Sequence, residues 1–297
     1  MELVQVKGNT WYLTANFGLL PLYRIDDHRC IFLDSGWSWQ REEFREALER
    51  YELVPVGAMA SHAHEDHIGN HAWMKQTYGT KICMSFGEAV TVSTPIQLKA
   101  QFSGMSLNAV HSFAGDTIVQ TDRPVGVDEE QINFMGVDFR IHHTPGHSVD
   151  HICIGTPDGV CYVGDLIMSG AVLETAKLPY HLVHTIARES MEQMRDVKGY
   201  THFLATHYGG FTDIAAVVDQ NIAHLDWICE QFLKLMEEPM TWEQVMMQVV
   251  ERNQLYTKDE IKALAFEQNA RYFMEYLRDT GKLKVTVDRG VLRYQRA

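Results

Sequence analysis

The chain has 297 residues, 45% of them hydrophobic and 22% charged, and a net charge of −13. This is ordinary globular composition, which excludes disordered and coiled-coil readings, and the charge disfavours non-specific attraction to polyanions. The longest apolar runs, such as VGAMA and HICIG, fall far short of the roughly twenty residues that a membrane span requires.

The length suits one large domain with a small one attached. The opening stretch MELVQVKGNTWYL has neither a basic n-region nor an apolar h-region, so no secretory signal is read and a cytoplasmic location is expected. Cys30, Cys83, Cys153, Cys161 and Cys229 are scattered, without a Cys-x-x-Cys pair, and are expected to be reduced buried thiols.

Taken in chain order, ELVQVKGNTWYLTANF, YRIDDHRCIFLDSG and VGAMASHAH read as strands, from alternation or from short apolar runs ending in turn residues. Between them WQREEFREALERYEL has helical spacing, with Phe44, Leu48 and Tyr51 on one face. EDHIGNHAWMKQTYGT reads as one helix closed by Gly79. Residues 86–125 break this rhythm and suit either an inserted lid over an access groove or a satellite core. Strand signals return at INFMGVDFRIHHTPGH, HICIGTPDGVCYVGDLI and HFLATH, with a turn at TPDG. Interleaved strands and helices over residues 1–212 suggest a layered α/β sandwich.

From residue 213 the pattern turns helical, with Thr241 and Thr257 as N-cap candidates. The chain closes on a basic hairpin turning at Asp288–Arg289–Gly290. Helices followed by a hairpin are similar to a winged helix. Residues 213–297 hold 11 cationic and 14 anionic side chains, a net −3, which leaves −10 for residues 1–212; residues 271–297 alone are +4.

The segment SHAHEDHIGN places His62, His64, Asp66 and His67 within six positions. On a loop leaving a strand, His62 and His64 can turn toward one point, and Asp66 in the first turn of the next helix is electrostatically favoured. Four potential ligands in so short a span read as one rim of a metal site. Glu65 reads as a solvent-facing spacer. One loop cannot encircle a metal pair, and three other strand ends offer partners: His147 in HTPGHS, Asp165 in CYVGDLI and His207 in FLATHYGG.

His-x-His-x-Asp-His, then Thr-Pro-Gly-His, then Gly-Asp, then a strand-end His resembles the motif order of the metallo-β-lactamase superfamily. FLDSG (32–36) is similar to that family's early turn, in which Asp34 would support rather than ligate. The resemblance spans residues 1–212 and implies a four-layer αββα sandwich, followed at 213–297 by a helical, winged-helix-like subdomain. It further implies two divalent ions, with His62, His64 and His147 at one site, Asp66, His67 and His207 at the other, and Asp165 bridging. The all-nitrogen site suits zinc, and the mixed site also admits manganese or iron.

Such a pair would use a metal-bridging hydroxide, with Asp66 and Asp165 as the catalytic carboxylates. Tyr208, His181 and His184 are read as substrate contacts. The departures from known branches are informative. His64 stands where flavodiiron proteins carry Glu, Asp165 where class B1 lactamases carry Cys, and GDLIMSGAVLETAKLPYHL lacks the basic stretch of glyoxalase II enzymes. The expected activity is hydrolysis of a small ester, thioester or lactone. The alternatives are an endoribonuclease or phosphodiesterase bearing the winged helix, with nucleic acid disfavoured by charge, and an iron persulfide dioxygenase. Homodimerisation through the tail is the remaining partner expectation, and no membrane partner is expected.

Overall fold

The computed structural model describes every residue except Phe17, Ser103, Ser169, Gly170, Ala171, Glu174, Thr175, Ala176 and Tyr208. Seven strands form the first sheet in sequential order: β1 (Leu3–Lys7), β2 (Thr10–Ala15), β3 (Gly18–Arg24), β4 (Arg29–Leu33), β5 (Val54–Met59), β6 (Lys81–Ser85) and β7 (Arg123–Val125). β1 to β4 pair antiparallel and β4 to β7 parallel. The second sheet runs in reverse chain order: β13 (Gly209–Phe211), β12 (His202–Ala205), β11 (Val160–Tyr162), β10 (Ile152–Gly155), β9 (Val137–His143) and β8 (Gln131–Phe134).

Strand alternation builds the layers, because successive side chains leave a strand on opposite faces. On β4, Ile31 and Leu33 point inward to meet Ile132, Phe139, Ile154 and Leu204 of the second sheet. Cys30 and Phe32 point outward, onto helices α1 (Arg41–Arg50), α3 (His71–Tyr78), α5 (Pro95–Gln101) and α6 (Leu107–Ala114). The second sheet repeats the device: Ile152, Ile154 and Tyr162 face inward, whereas Cys153, Cys161 and Phe203 face α7 (His184–Arg195) and α8 (Ile214–Leu235). The expected αββα order is therefore present.

The helix anticipated over EDHIGNHAWMKQTY is two helices, α2 (Glu65–Ile68) and α3. The break has a side-chain cause. Asn70 is fully buried and gives its amide to the carbonyls of Ser35 (2.8 Å) and Trp37 (2.9 Å), which ties this corner to the turn after β4. Residues 86–125 form α4 (Phe86–Thr91), α5 and α6. Leu98 and Val110 join the outer core, while Phe102 and Phe113 line a cavity.

At the C-terminal end, α9 (Trp242–Asn253) and α10 (Glu260–Asp279) precede the hairpin β14 (Leu283–Asp288) and β15 (Val291–Arg296). Thr241 caps α9 in a reciprocal box with Gln244. Asp259, not Thr257, caps α10; Thr257 instead accepts from the Asp259 N–H. The Arg289–Gly290 turn has positive φ at both residues, as a two-residue hairpin demands. Val249, Phe273 and Leu277 share one core with Phe203 and Val163 of the second sheet. No helix among the described residues is long and apolar enough to cross a membrane.

Candidate metal centre

Four strand ends meet at one mouth. The loop after β5 carries His62 and His64, and α2 carries Asp66 and His67; His147 follows β9, Asp165 follows β11 and His207 follows β12. His64 Nδ1 lies 2.8 Å from His62 Nε2 and 3.2 Å from His147 Nε2. Beside this trio, Asp165 Oδ2 stands 3.3 Å from His67 Nε2, 3.3 Å from His207 Nε2 and 3.7 Å from His147 Nε2. Asp66 Oδ2 stands 3.3 Å from His207 Nε2 and 3.6 Å from His67 Nε2.

A cation fits these residues. Ligand atoms at about 2.0–2.1 Å around a tetrahedral zinc lie roughly 3.3 Å from one another, close to the separations found. His67 Nε2 and Asp165 Oδ1 are buried with no hydrogen-bond partner among the described residues, an arrangement that is costly unless an ion or water answers it. The trio and the Asp66–His67–Asp165–His207 quartet each bring one ligand atom per residue within 4.8 Å of the others.

Asp34, His62 and His67 also lie close enough to make a group, but the Asp34 carboxylate is already spent. It accepts from Ser61 N (2.7 Å), Ser61 Oγ (2.6 Å), His67 Nδ1 (2.7 Å) and the Tyr162 hydroxyl, about as many bonds as a carboxylate can take. By accepting a hydrogen bond from Nδ1 it leaves His67 Nε2 facing Asp165, so it is placed to orient a candidate ligand rather than to act as one. The Tyr180 carbonyl does the same for His147, accepting from Nδ1 at 3.0 Å. His151 accepts the Asp165 N–H at 3.3 Å. Gly164 makes that approach feasible: it has φ +51, and a Cβ there would meet His151 Nε2 at 2.6 Å and Ser61 Oγ at 2.7 Å.

The electrostatics divide the site. Burial pushes His62 and His147 well below their ordinary range and His64 down to about 4, so these three stay neutral and present lone pairs. His207 is pushed up to about 11, chiefly by Asp165. Burial opposes charge on His67, but Asp165, Asp66 and Asp34 together hold it well above the usual range. Asp165 is held well below the carboxylate range by His207 and His67 against its own burial. Without an ion, imidazolium protons balance the two carboxylates.

Three residues that the sequence reading missed complete the centre. Glu88, buried on α4, accepts from Ala63 N (3.0 Å), Asp150 N (3.0 Å) and Ser148 Oγ, and so joins the His62–His64 loop to the His147 loop. Tyr180 sets its ring against His64 and His147, with centroids 5.1 and 5.3 Å away. Glu65 is not a solvent-facing spacer: it is half-buried and lines the cavity at the centre, and burial beside Asp66 pushes its carboxyl up to about 8.

His181 and His184, expected to touch substrate, are 3% and 4% exposed and do not line that cavity; His184 packs on Phe273 at 4.2 Å. Phe273 and Tyr276 of α10 cover His184, whereas His181 sets its ring against His147, with centroids 5.6 Å apart. Tyr208 lies outside the described residues.

The sequence of residues 22–207 matches the family model described as the metallo-beta-lactamase superfamily. The chain belongs to that superfamily. Solved structures with the same fold include a beta-lactamase domain protein from Burkholderia ambifaria (TM-score 0.72, 20% identity, covering 100% of this chain and 94% of that one). Another is a metallo-beta-lactamase family protein from Thermus thermophilus (TM-score 0.70, 18% identity, 97% and 98% covered). Among curated relatives, the hydroxyacylglutathione hydrolase of Klebsiella pneumoniae is 25% identical over 160 residues, 54% of this chain and 47% of that protein. The hydroxyacylglutathione hydrolase GloC of Haemophilus influenzae is 26% identical over 151 residues, 50% and 66%. The matched stretch thus spans about half the length of the Klebsiella protein.

Proposed function

We propose that this superfamily member is a metal-dependent hydrolase of a small ester, thioester or lactone. The observation that carries the reading is the convergence of seven ligand-type side chains, orphaned buried atoms among them, at one end of a cavity. His62, His64 and His147 would hold one divalent ion; Asp66, His67 and His207 would hold a second, with Asp165 turned toward both groups. Zinc is the proposed metal, since neutral imidazoles suit it, and manganese or iron could take the mixed group. Bound there, the ions would supply Lewis acidity and a water acidified toward neutral pH.

The chain's own groups do the positioning. Asp34 fixes the ring of His67, and the Tyr180 carbonyl fixes that of His147. Asp66 and Asp165 carry the negative charge that can orient an attacking water and receive its proton. Tyr180 and the apolar cavity wall limit access of bulk water. The relatives' activity supports acyl hydrolysis as the class, although those proteins are matched over only part of their length.

The nuclease reading finds less support, because no lysine or arginine lines the cavity among the described residues. A cytoplasmic location, a homodimer and a division into domains at about residue 212 remain part of the proposal.

The test is a panel of esters, thioesters, lactones and single-stranded RNA, assayed with zinc, manganese and iron. Acyl hydrolysis that disappears on chelation and returns with metal is expected. Cleavage of RNA alone, or hydrolysis indifferent to chelation, would overturn the reading.

A further inference from the structure

The cavity beside the metal centre encloses about 270 Å³. One end is His64, Asp66, His147, Asp165 and His207. Much of the remaining wall is apolar: Phe102, Met105 and Phe113 from the 86–125 segment, Ile261 and Leu264 from α10, and Met168 after β11. The side-chain amide N–H groups of that wall are already engaged. Gln268 Nε2 donates to the Tyr272 hydroxyl (2.6 Å) and the Gln101 carbonyl (3.3 Å), and Asn269 Nδ2 donates to the Leu178 carbonyl (2.9 Å). Apart from the ligand group and Tyr180, the one titratable lining residue among the described residues is Glu65, an acid. No lysine or arginine is present in the lining, and none of the nine undescribed residues is one.

From this wall we infer that the substrate is uncharged and carries an apolar acyl chain, which lies between α10 and the 86–125 helices while its carbonyl meets the metal centre. The inference deepens the hydrolase reading and rests on it. An anionic carrier, such as a glutathione or nucleotide thioester, would place carboxylates or phosphates along the wall beside Glu65, away from the metal centre and with no lysine or arginine to receive them, and burying an unpaired charge is prohibitive. An apolar chain meets the opposite situation, since the wall gains from every methylene it covers. In the reaction water adds across the acyl bond: the carbonyl carbon gains hydroxyl, the carbon–oxygen or carbon–sulfur bond breaks, and the leaving alcohol or thiol takes the proton.

Two measurements on the full-length protein test this. The first is hydrolysis of p-nitrophenyl esters from two to ten carbons, compared with glutathione thioesters of the same acyl groups. A rise in kcat/KM of roughly fourfold per methylene until the cavity fills is expected, with the neutral ester preferred. A flat series, or a tenfold preference for the glutathione carrier at equal chain length, would overturn the inference. The second measures binding without chemistry: displacement of the neutral fluorophore N-phenyl-1-naphthylamine from ion-free protein by 2-ketones of increasing length, and by glutathione.

Ketone competition that strengthens with length, together with failure of every ester to react, would leave the cavity assignment standing and sink the hydrolase reading. Competition by glutathione but not by ketones would sink the inference alone. Leu264→Arg, at a half-buried position, should lower the long-to-short ratio on the order of tenfold, and Leu264→Met should restore it; an unchanged ratio in the folded Arg variant counts against the inference.

Discussion

Glu88 offers the sharpest test of how the centre is held. Its carboxylate accepts three hydrogen bonds, from Ala63 N, Asp150 N and Ser148 Oγ, and these donors sit beside three of the ligands, His62, His64 and His147. Burial pushes the carboxyl above its ordinary range, while the three donors pull it back. Glu88→Gln keeps the volume but supplies only one acceptor oxygen. If that oxygen faces Ser148 and Asp150, the amide NH₂ opposes the Ala63 N–H, and one buried donor is orphaned at about 1–3 kcal/mol.

Relief of the buried charge offsets part of this cost, so Tm should change only modestly. Metal affinity should fall 10- to 100-fold, as is usual when a group that positions ligands is lost. Zinc titration against a chromophoric chelator separates the two effects, with circular dichroism confirming the fold. Affinity within twofold of the parent, together with an unchanged Tm, would refute the claim that Glu88 clamps the two ligand loops.

Asp165→Ala removes the carboxylate shared by both ligand groups and should cost roughly a thousandfold in kcat, the equivalent of several kcal/mol, with lower metal content by elemental analysis; full activity would sink the two-ion assignment. The ion-free protein should be most stable near pH 6.5. His62, His64, His71, His147 and His151 are depressed by burial, so the unfolded chain gains protons that they refuse, and stability falls as pH drops below 6.5. His67 and His207 are raised, so their stabilisation is complete below 6.5 and is lost as pH climbs toward about 11. A Tm series in chelator that rises steadily from pH 5 to pH 9 would contradict this. Deleting residues 213–297 should abolish cooperative unfolding, because Phe232, Phe273 and Leu277 share a core with Phe203; a soluble, active 1–212 fragment would show that core to be dispensable.

What the sequence disclosed, and what it hid, follows from where each constraint is local. A metal ligand must be one of a few residue types, and in this fold it sits where a strand ends. HAHEDH, TPGH, GD and the final ATH are therefore legible as candidate ligands within single segments, and Asp34 is visible in its own turn. Short apolar runs revealed strands for the same reason, since Cys30, Ile31, Phe32 and Leu33 carry the two-faced burial of β4 in four letters. Glu88 was invisible, because nothing in FGEAV says that its carboxylate is buried; its donors lie 25, 60 and 62 residues away.

The histidines of KLPYHLVHT misled in the same way: chemistry-bearing by type, neither lines the cavity, since His184 is covered by α10 and His181 is buried behind His147, while the neighbouring Tyr180 faces the cavity. A similar division runs through the cavity. Its reactive end is assembled from strand ends before residue 208, whereas the wall that would choose a substrate is brought together by the packing of α5, α6 and α10. One tie in that packing joins Gln268 to the Gln101 carbonyl, 167 residues away. The proposed reaction class therefore rests on motifs, while the proposed choice of acyl group rests on how the late helices pack.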